Sequence, residues 1–204
     1  MRGTSRSLFL MGALLFAGLL FTASAQQEEG KSEPKPIDPK KTTRVTLGST
    51  SGTPGASTVV PIYFTPAESV EVGRLKLSVN FVSRNLKFSR MDAGTAAEFG
   101  KVELRSEVQE WKNEQGLETA TLTIVASFLT PEPPEKGIPA GLLGYVTFQI
   151  KEGAGPANIS LRASAEAAEL KTNKPVQDLR AFDAQVEVLA PGSEPLVSCF
   201  FFTH

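Results

Sequence analysis

The chain has 204 residues, 21 basic and 22 acidic side chains, 41% hydrophobic residues, one Cys and one His. One Cys permits no internal disulfide and no cysteine zinc cage. A single His, at the last position, leaves no Ser-His-Asp or Cys-His constellation inside a fold. A net charge of -1 gives no general field to attract nucleic acid. The apolar fraction is too high for a wholly disordered chain. Composition therefore predicts a non-catalytic module with no cofactor and no metal, and the length suits one domain plus appendages.

The first 25 residues have the three parts of a secretory signal peptide. Arg2 and Arg6 give a positive start, Leu8 to Phe21 is apolar or Gly throughout, and Ala23-Ser24-Ala25 supplies a small-x-small cleavage pattern. The run is shorter than the ~20 residues that span a bilayer. Cleavage after Ala25 is expected, with an uncleaved anchor as the alternative. It would leave no membrane span in the mature chain and place the protein outside the cytoplasm, secreted or in the cell envelope. Loss of two Arg leaves 19 basic against 22 acidic residues, a net charge of -3.

Residues 26–42, QQEEGKSEPKPIDPKKT, hold three Pro, eight charges and one large apolar residue, Ile37. Such a stretch buries too little to repay its ordering entropy and reads as a disordered linker. Pro191-Gly192-Ser193-Glu194-Pro195 is a second punctuated stretch. The material between, residues 43–190, reads as one domain.

Within it the period is two, the signature of half-buried strands. Val60, Ile62 and Phe64 alternate with Val59, Pro61 and Tyr63. Leu75, Leu77, Val79 and Phe81 alternate with Arg74, Lys76, Ser78 and Asn80. Ala120, Leu122, Ile124, Ala126 and Phe128 alternate with Thr119, Thr121, Thr123, Val125 and Ser127. Leu142, Val146, Phe148 and Ile150 alternate with Leu143, Tyr145, Thr147 and Gln149, and Phe182, Ala184, Val186 and Val188 complete the set. Turn clusters at Gly52–Gly55, Asn113–Gly116, Pro131–Pro134 and Gly153–Pro156 separate them. The class is all-β, a sandwich. Ala93–Phe99 allows a helical turn, and Ala163–Leu170 is open between helix and strand.

Three stretches together resemble the cohesin domain family. Gly55–Ile62 has a Gly, then a strand ending Val-Val-Pro-Ile. Val72–Gly94 has an alternating strand, a turn, a second strand and a Gly. Gly141–Ile150, GLLGYVTFQI, is similar to the family's Gly-x-x-Ala-x-Ile-x-Phe-x-Val strand. The resemblance covers about 45–190. It implies a nine-stranded jelly-roll β-sandwich that binds dockerin modules through a flat sheet face. That face would comprise roughly residues 72–81, 101–109, 117–127 and 141–150. Its outward side chains would include Arg74, Lys76, Ser78, Asn80, Thr123, Leu143 and Tyr145. Two departures stand out. Phe81-Val82-Ser83 replaces an aromatic-Asp-Pro turn, and Arg74 and Lys76 stand where cellulosomal members carry Asn and Asp. A basic patch in place of an acidic-amide one predicts a different partner preference. The expected function is scaffolding or cell-surface assembly. The partner would be another secreted or envelope protein, dockerin-like or unrelated. The alternative is a carbohydrate-binding module of the same jelly-roll type, with a polysaccharide partner.

Other features weigh less. Trp111, among Glu110, Lys112 and Asn113, could stack a sugar or cover one end of the sandwich. Asp92, Glu98 and Glu103 have no spacing that demands calcium. The apolar tail, Leu196 to Phe202, contains Cys199, Phe200, Phe201 and Phe202. Exposed, it would promote β-aggregation. It is therefore expected to be buried, to dock on a partner as an added strand, to be removed by a sorting machine, or to fray.

Overall fold

A computed structural model describes residues 38, 40–112, 114–129 and 134–193. The expected signal peptide, most of the linker, and the tail with Cys199, Phe200, Phe201 and Phe202 lie outside the described residues. Eleven strands and one short helix follow in chain order: β1 (Thr43–Leu47), β2 (Thr50–Gly52), β3 (Ser57–Thr65), β4 (Val72–Phe81), β5 (Leu86–Ala93), α1 (Thr95–Gly100), β6 (Val102–Lys112), β7 (Glu118–Phe128), β8 (Gly141–Ile150), β9 (Ala157–Glu169), β10 (Leu179–Phe182) and β11 (Ala184–Val188). A five-stranded sheet has the order β10-β1-β3-β8-β5, and a six-stranded sheet the order β2-β11-β9-β4-β7-β6.

The inner faces of the two sheets form one core. Phe64, Leu75, Leu77, Leu122, Ile124, Phe148, Ile150 and Leu161 are among its fully buried side chains. Phe148 packs edge-on against Phe81 at 5.1 Å and Phe88 at 6.4 Å. Each such side chain contributes about 1.5–3 kcal/mol by leaving water. The alternation read from the sequence places Phe64, Leu75, Leu77, Leu122 and Ile124 on the inner faces of β3, β4 and β7, where they are buried. Ala163–Leu170 resolves in favour of strand, since β9 extends through Glu169 and pairs with β4 along its length. The helical turn expected near Ala93–Phe99 is α1, which buries Ala96 and Ala97 and ends at Lys101 in the left-handed conformation (φ 53°).

Nine strands were expected and eleven segments are present. The first and last extended stretches each change sheets at a kink. Between β1 and β2 the chain turns at Gly48-Ser49, and between β10 and β11 it turns at Asp183. The two stretches run parallel, β1 beside β10 and β2 beside β11. At the kinks side chains take over from the interrupted ladder. Ser49 Oγ accepts the Gln185 N–H at 3.1 Å, and Asp183 Oδ1 accepts the Ala163 N–H at 2.7 Å. Two backbone donors beside the interrupted pairing are thus satisfied. The start of β1 is fixed in the same way. Thr42 Oγ1 donates to Asp178 Oδ2 at 2.8 Å, and buried Thr43 accepts the Ala67 N–H at 3.1 Å.

Candidate binding face

The outer face of the six-stranded sheet is set by the register of four strands. Lys76 of β4 lies between Val125 of β7 and Glu166 of β9, and Arg105 of β6 lies beyond Val125. One row along, Ser78 lies between Thr123 and Ser164, with Glu107 beyond Thr123. The next row is Gln109, Thr121, Asn80 and Arg162. Arg74 begins the face beside Ser127 and Ala168. Arg74, Lys76, Ser78, Asn80 and Thr123, all expected on one face, are brought together here.

Leu143 and Tyr145 are not. They belong to β8, which lies in the other sheet. Leu143 is moreover 1% exposed and part of the core. A β-bulge explains the second point. Ile62 pairs with Gly144 and Tyr63 with Leu142, so Leu143 is the unpaired extra residue and the side-chain phase slips by one. Tyr145 does face outward, but on the opposite side of the molecule, opposite Pro61 and Asp92. The aromatic anchor expected beside the Arg74–Lys76 pair is therefore absent from that face. Val125 takes the place next to Lys76.

Two of the four cations of this face, Lys76 and Arg105, are engaged, while Arg162, like Arg74, has no ion pair among the described residues. Lys76 Nζ lies 3.7 Å from Glu166, and Arg105 lies 2.8 Å from Glu103. The hydrogen bond to Glu103, then its charge, raises the Arg105 guanidinium above its ordinary pKa. Both pairs are solvent-exposed and worth little to stability. Arg74 is exposed and has no ion-pair partner among the described residues. It also borders two shallow depressions. One of about 530 Å³ is lined on its far side by Arg105, Glu107 and Thr123. The other, about 460 Å³, runs past Lys76 and Glu166 towards Asn173 and Pro175. Asn80 accepts a hydrogen bond from Thr121, which orients its side chain across the strands.

Two further expectations find their places. Trp111 is on β6, paired with Thr119 and 45% exposed, at the edge of this same sheet rather than over an end of the core. Asp92, Glu98 and Glu103 do not gather. Asp92 holds Arg90 at 2.7 Å and Glu103 holds Arg105. Among the described residues no three acidic, His or Cys side chains converge on a metal position.

No family model matches the sequence, and no curated protein matches it. Solved structures do match. The seventh ScaB type I cohesin from Pseudobacteroides cellulosolvens aligns with a TM-score of 0.54 at 19% identity, over 78% of this chain and 99% of that one. The sixth cohesin of Acetivibrio cellulolyticus scaffoldin B, solved with a Cel5 dockerin variant, aligns with a TM-score of 0.53 at 16% identity, over 72% and 99%. A non-cellulosomal cohesin from the archaeon Archaeoglobus fulgidus aligns with a TM-score of 0.50 at 13% identity, over 74% and 94%. The fold is cohesin-like. At these identities the likeness is one of architecture, and the cohesin-like domain's side chains must be read on their own terms.

Proposed function

We propose that this chain is a secreted, non-catalytic protein-binding module that grips its partner with the outer face of the six-stranded sheet. The observation that carries the reading is Arg74. It is exposed and without an ion pair, it sits between two depressions, and Lys76, Arg105 and Val125 lie close by. An unpaired Arg close to an aliphatic residue on an exposed sheet face has the makeup of an interface anchor. Cohesin-like architecture supports the reading, because several similar domains were solved in complex with dockerins. The basic residues favour a partner that presents carboxylates, dockerin-like or unrelated, in the cell envelope or outside it. The signal-peptide pattern supports export.

The test is capture of identified partners from the producing organism's secreted and envelope fractions. Wild-type protein, collected after export and beginning at Gln26, is compared with the double variant Arg74→Glu, Lys76→Glu. Reversal at an anchor position weakens binding by about 2 kcal/mol or more, roughly thirtyfold. Equal capture by both proteins removes this face from consideration. A secreted form that still carries residues 1–25 removes the cleavage proposal.

A further inference from the structure

The opposite side of the molecule differs in character. The outer face of the five-stranded sheet carries both tyrosines of the chain and an outward phenylalanine. Phe182 of β10 and Tyr63 of β3 flank Thr46 of β1 in one cross-strand row. Tyr145 of β8 lies one row along, opposite Pro61 of β3. At strand spacings of about 4.8 Å, the three positions trace a line across the sheet at intervals of roughly 8–10 Å. All three side chains are half-buried, so part of each ring meets solvent. Neither tyrosine has a side-chain hydrogen bond to another described residue. The face is also basic. Arg44, Arg180, Lys87 and Arg90 stand against Asp92 and Asp178, which lie beside Arg90 and Arg180. Arg44 and Lys87 have no ion pair among the described residues, and Arg44 Nε is buried with no hydrogen-bond partner.

We propose that this second face binds an anionic polysaccharide, one whose pyranose rings carry carboxylates. The C–H face of a pyranose is apolar and flat, and it covers an aromatic ring well. A line of spaced rings suits a polymer of repeating flat units. A protein partner concentrates its anchors in one central cluster instead. Arg44, one row from both Phe182 and Tyr63, and Lys87, two rows beyond Tyr145 on the neighbouring strand, supply charge for the uronate carboxylates. A second copy of this chain docked face to face would bring these cations against one another, which like-charge repulsion opposes. The inference does not depend on the proposed protein-binding face, which lies on the other sheet.

Affinity electrophoresis of the mature chain in gels containing polygalacturonate tests it, with hydroxyethylcellulose and polyglutamate gels beside it. Polygalacturonate should retard the protein most, and added salt should reduce the retardation. Tyr63→Ala with Tyr145→Ala should weaken binding at least about tenfold, and so should Lys87→Glu with Arg90→Glu. Arg74→Glu with Lys76→Glu should leave it unchanged. Thermal melts establish which variants fold, and the exposed Lys87–Arg90 pair decides if the tyrosine variant does not. Absence of retardation overturns the proposal. So does equal retardation by polyglutamate, which would mark an acidic-protein site, or retardation by the neutral glucan alone. Binding that survives both face variants overturns it as well.

Discussion

Thr147 shows how one residue can carry a cost without carrying the fold. Its position on β8 is outward by alternation, yet the residue is 5% exposed and its Oγ1 has no hydrogen-bond partner among the described residues. A buried hydroxyl without a partner costs about 1–3 kcal/mol relative to its satisfied state, whereas an apolar group of the same shape carries no such penalty. Thr147→Val keeps the β-branched shape that a strand favours. The variant should be as stable as the parent or more stable by about 1 kcal/mol, read from the urea midpoint at unchanged slope. A loss of more than about 1 kcal/mol would mean that the hydroxyl has a partner after all, such as an ordered water. Gly94 shows a different constraint. A Cβ there would strike the backbone carbonyl of Leu142, so the residue is small because β8 passes against it.

Elements were legible where alternation ran unbroken and illegible where one residue was inserted. On β4 each second side chain from Leu75 to Phe81, and on β7 each from Ala120 to Ala126, is buried, as the period alone required. On β8 the bulge at Leu143 reverses the phase, and the sequence gives no local sign of it beyond Gly144, where a Cβ would meet Met91 at 2.5 Å. Phe182 is misplaced for a related reason. It extends the apolar series of β11, but the kink at Asp183 puts it on the outside of the other sheet, in line with Thr46. The outward positions of β4 and β7 follow from the period, whereas the inward turn of Leu143 within β8 and the placing of β8 in the other sheet do not. Alternation shows which side chains share a side of one strand. Which strands share a sheet is decided by pairings far apart in sequence, such as β3 with β8. Leu143→Ala tests the phase directly. A core leucine loses about 2–5 kcal/mol on truncation, while an outward one changes stability by less than about 0.5 kcal/mol. Denaturant unfolding should give the larger value, and the smaller one would return Leu143 to the surface.

At the scale of the whole molecule, the closing contacts join the two ends of the described chain. β1 and β2 run beside β10 and β11, so the last strands to be made complete both sheets at once. Leu179, Ala184, Val186 and Val188 add their side chains to the same core as Val45 and Leu47. Pairing segments some 135 residues apart is entropically costly, which predicts folding in milliseconds to seconds and a cooperative, all-or-none transition. Two truncations separate this from a sandwich with a dispensable edge. A fragment of residues 38–193 holds every residue of the core cluster and should unfold in one transition, with the midpoint of the mature chain. A fragment ending at Lys174 loses three buried core positions, Ala184, Val186 and Val188, with the partly buried Val176 and Leu179, at about 1.5–3 kcal/mol for each of the larger side chains. Against a total of about 5–15 kcal/mol, that loss should abolish the transition. A cooperative transition in the shorter fragment would mean that the end strands only decorate a core already complete. A lowered midpoint for residues 38–193 would instead assign part of the stability to segments outside them.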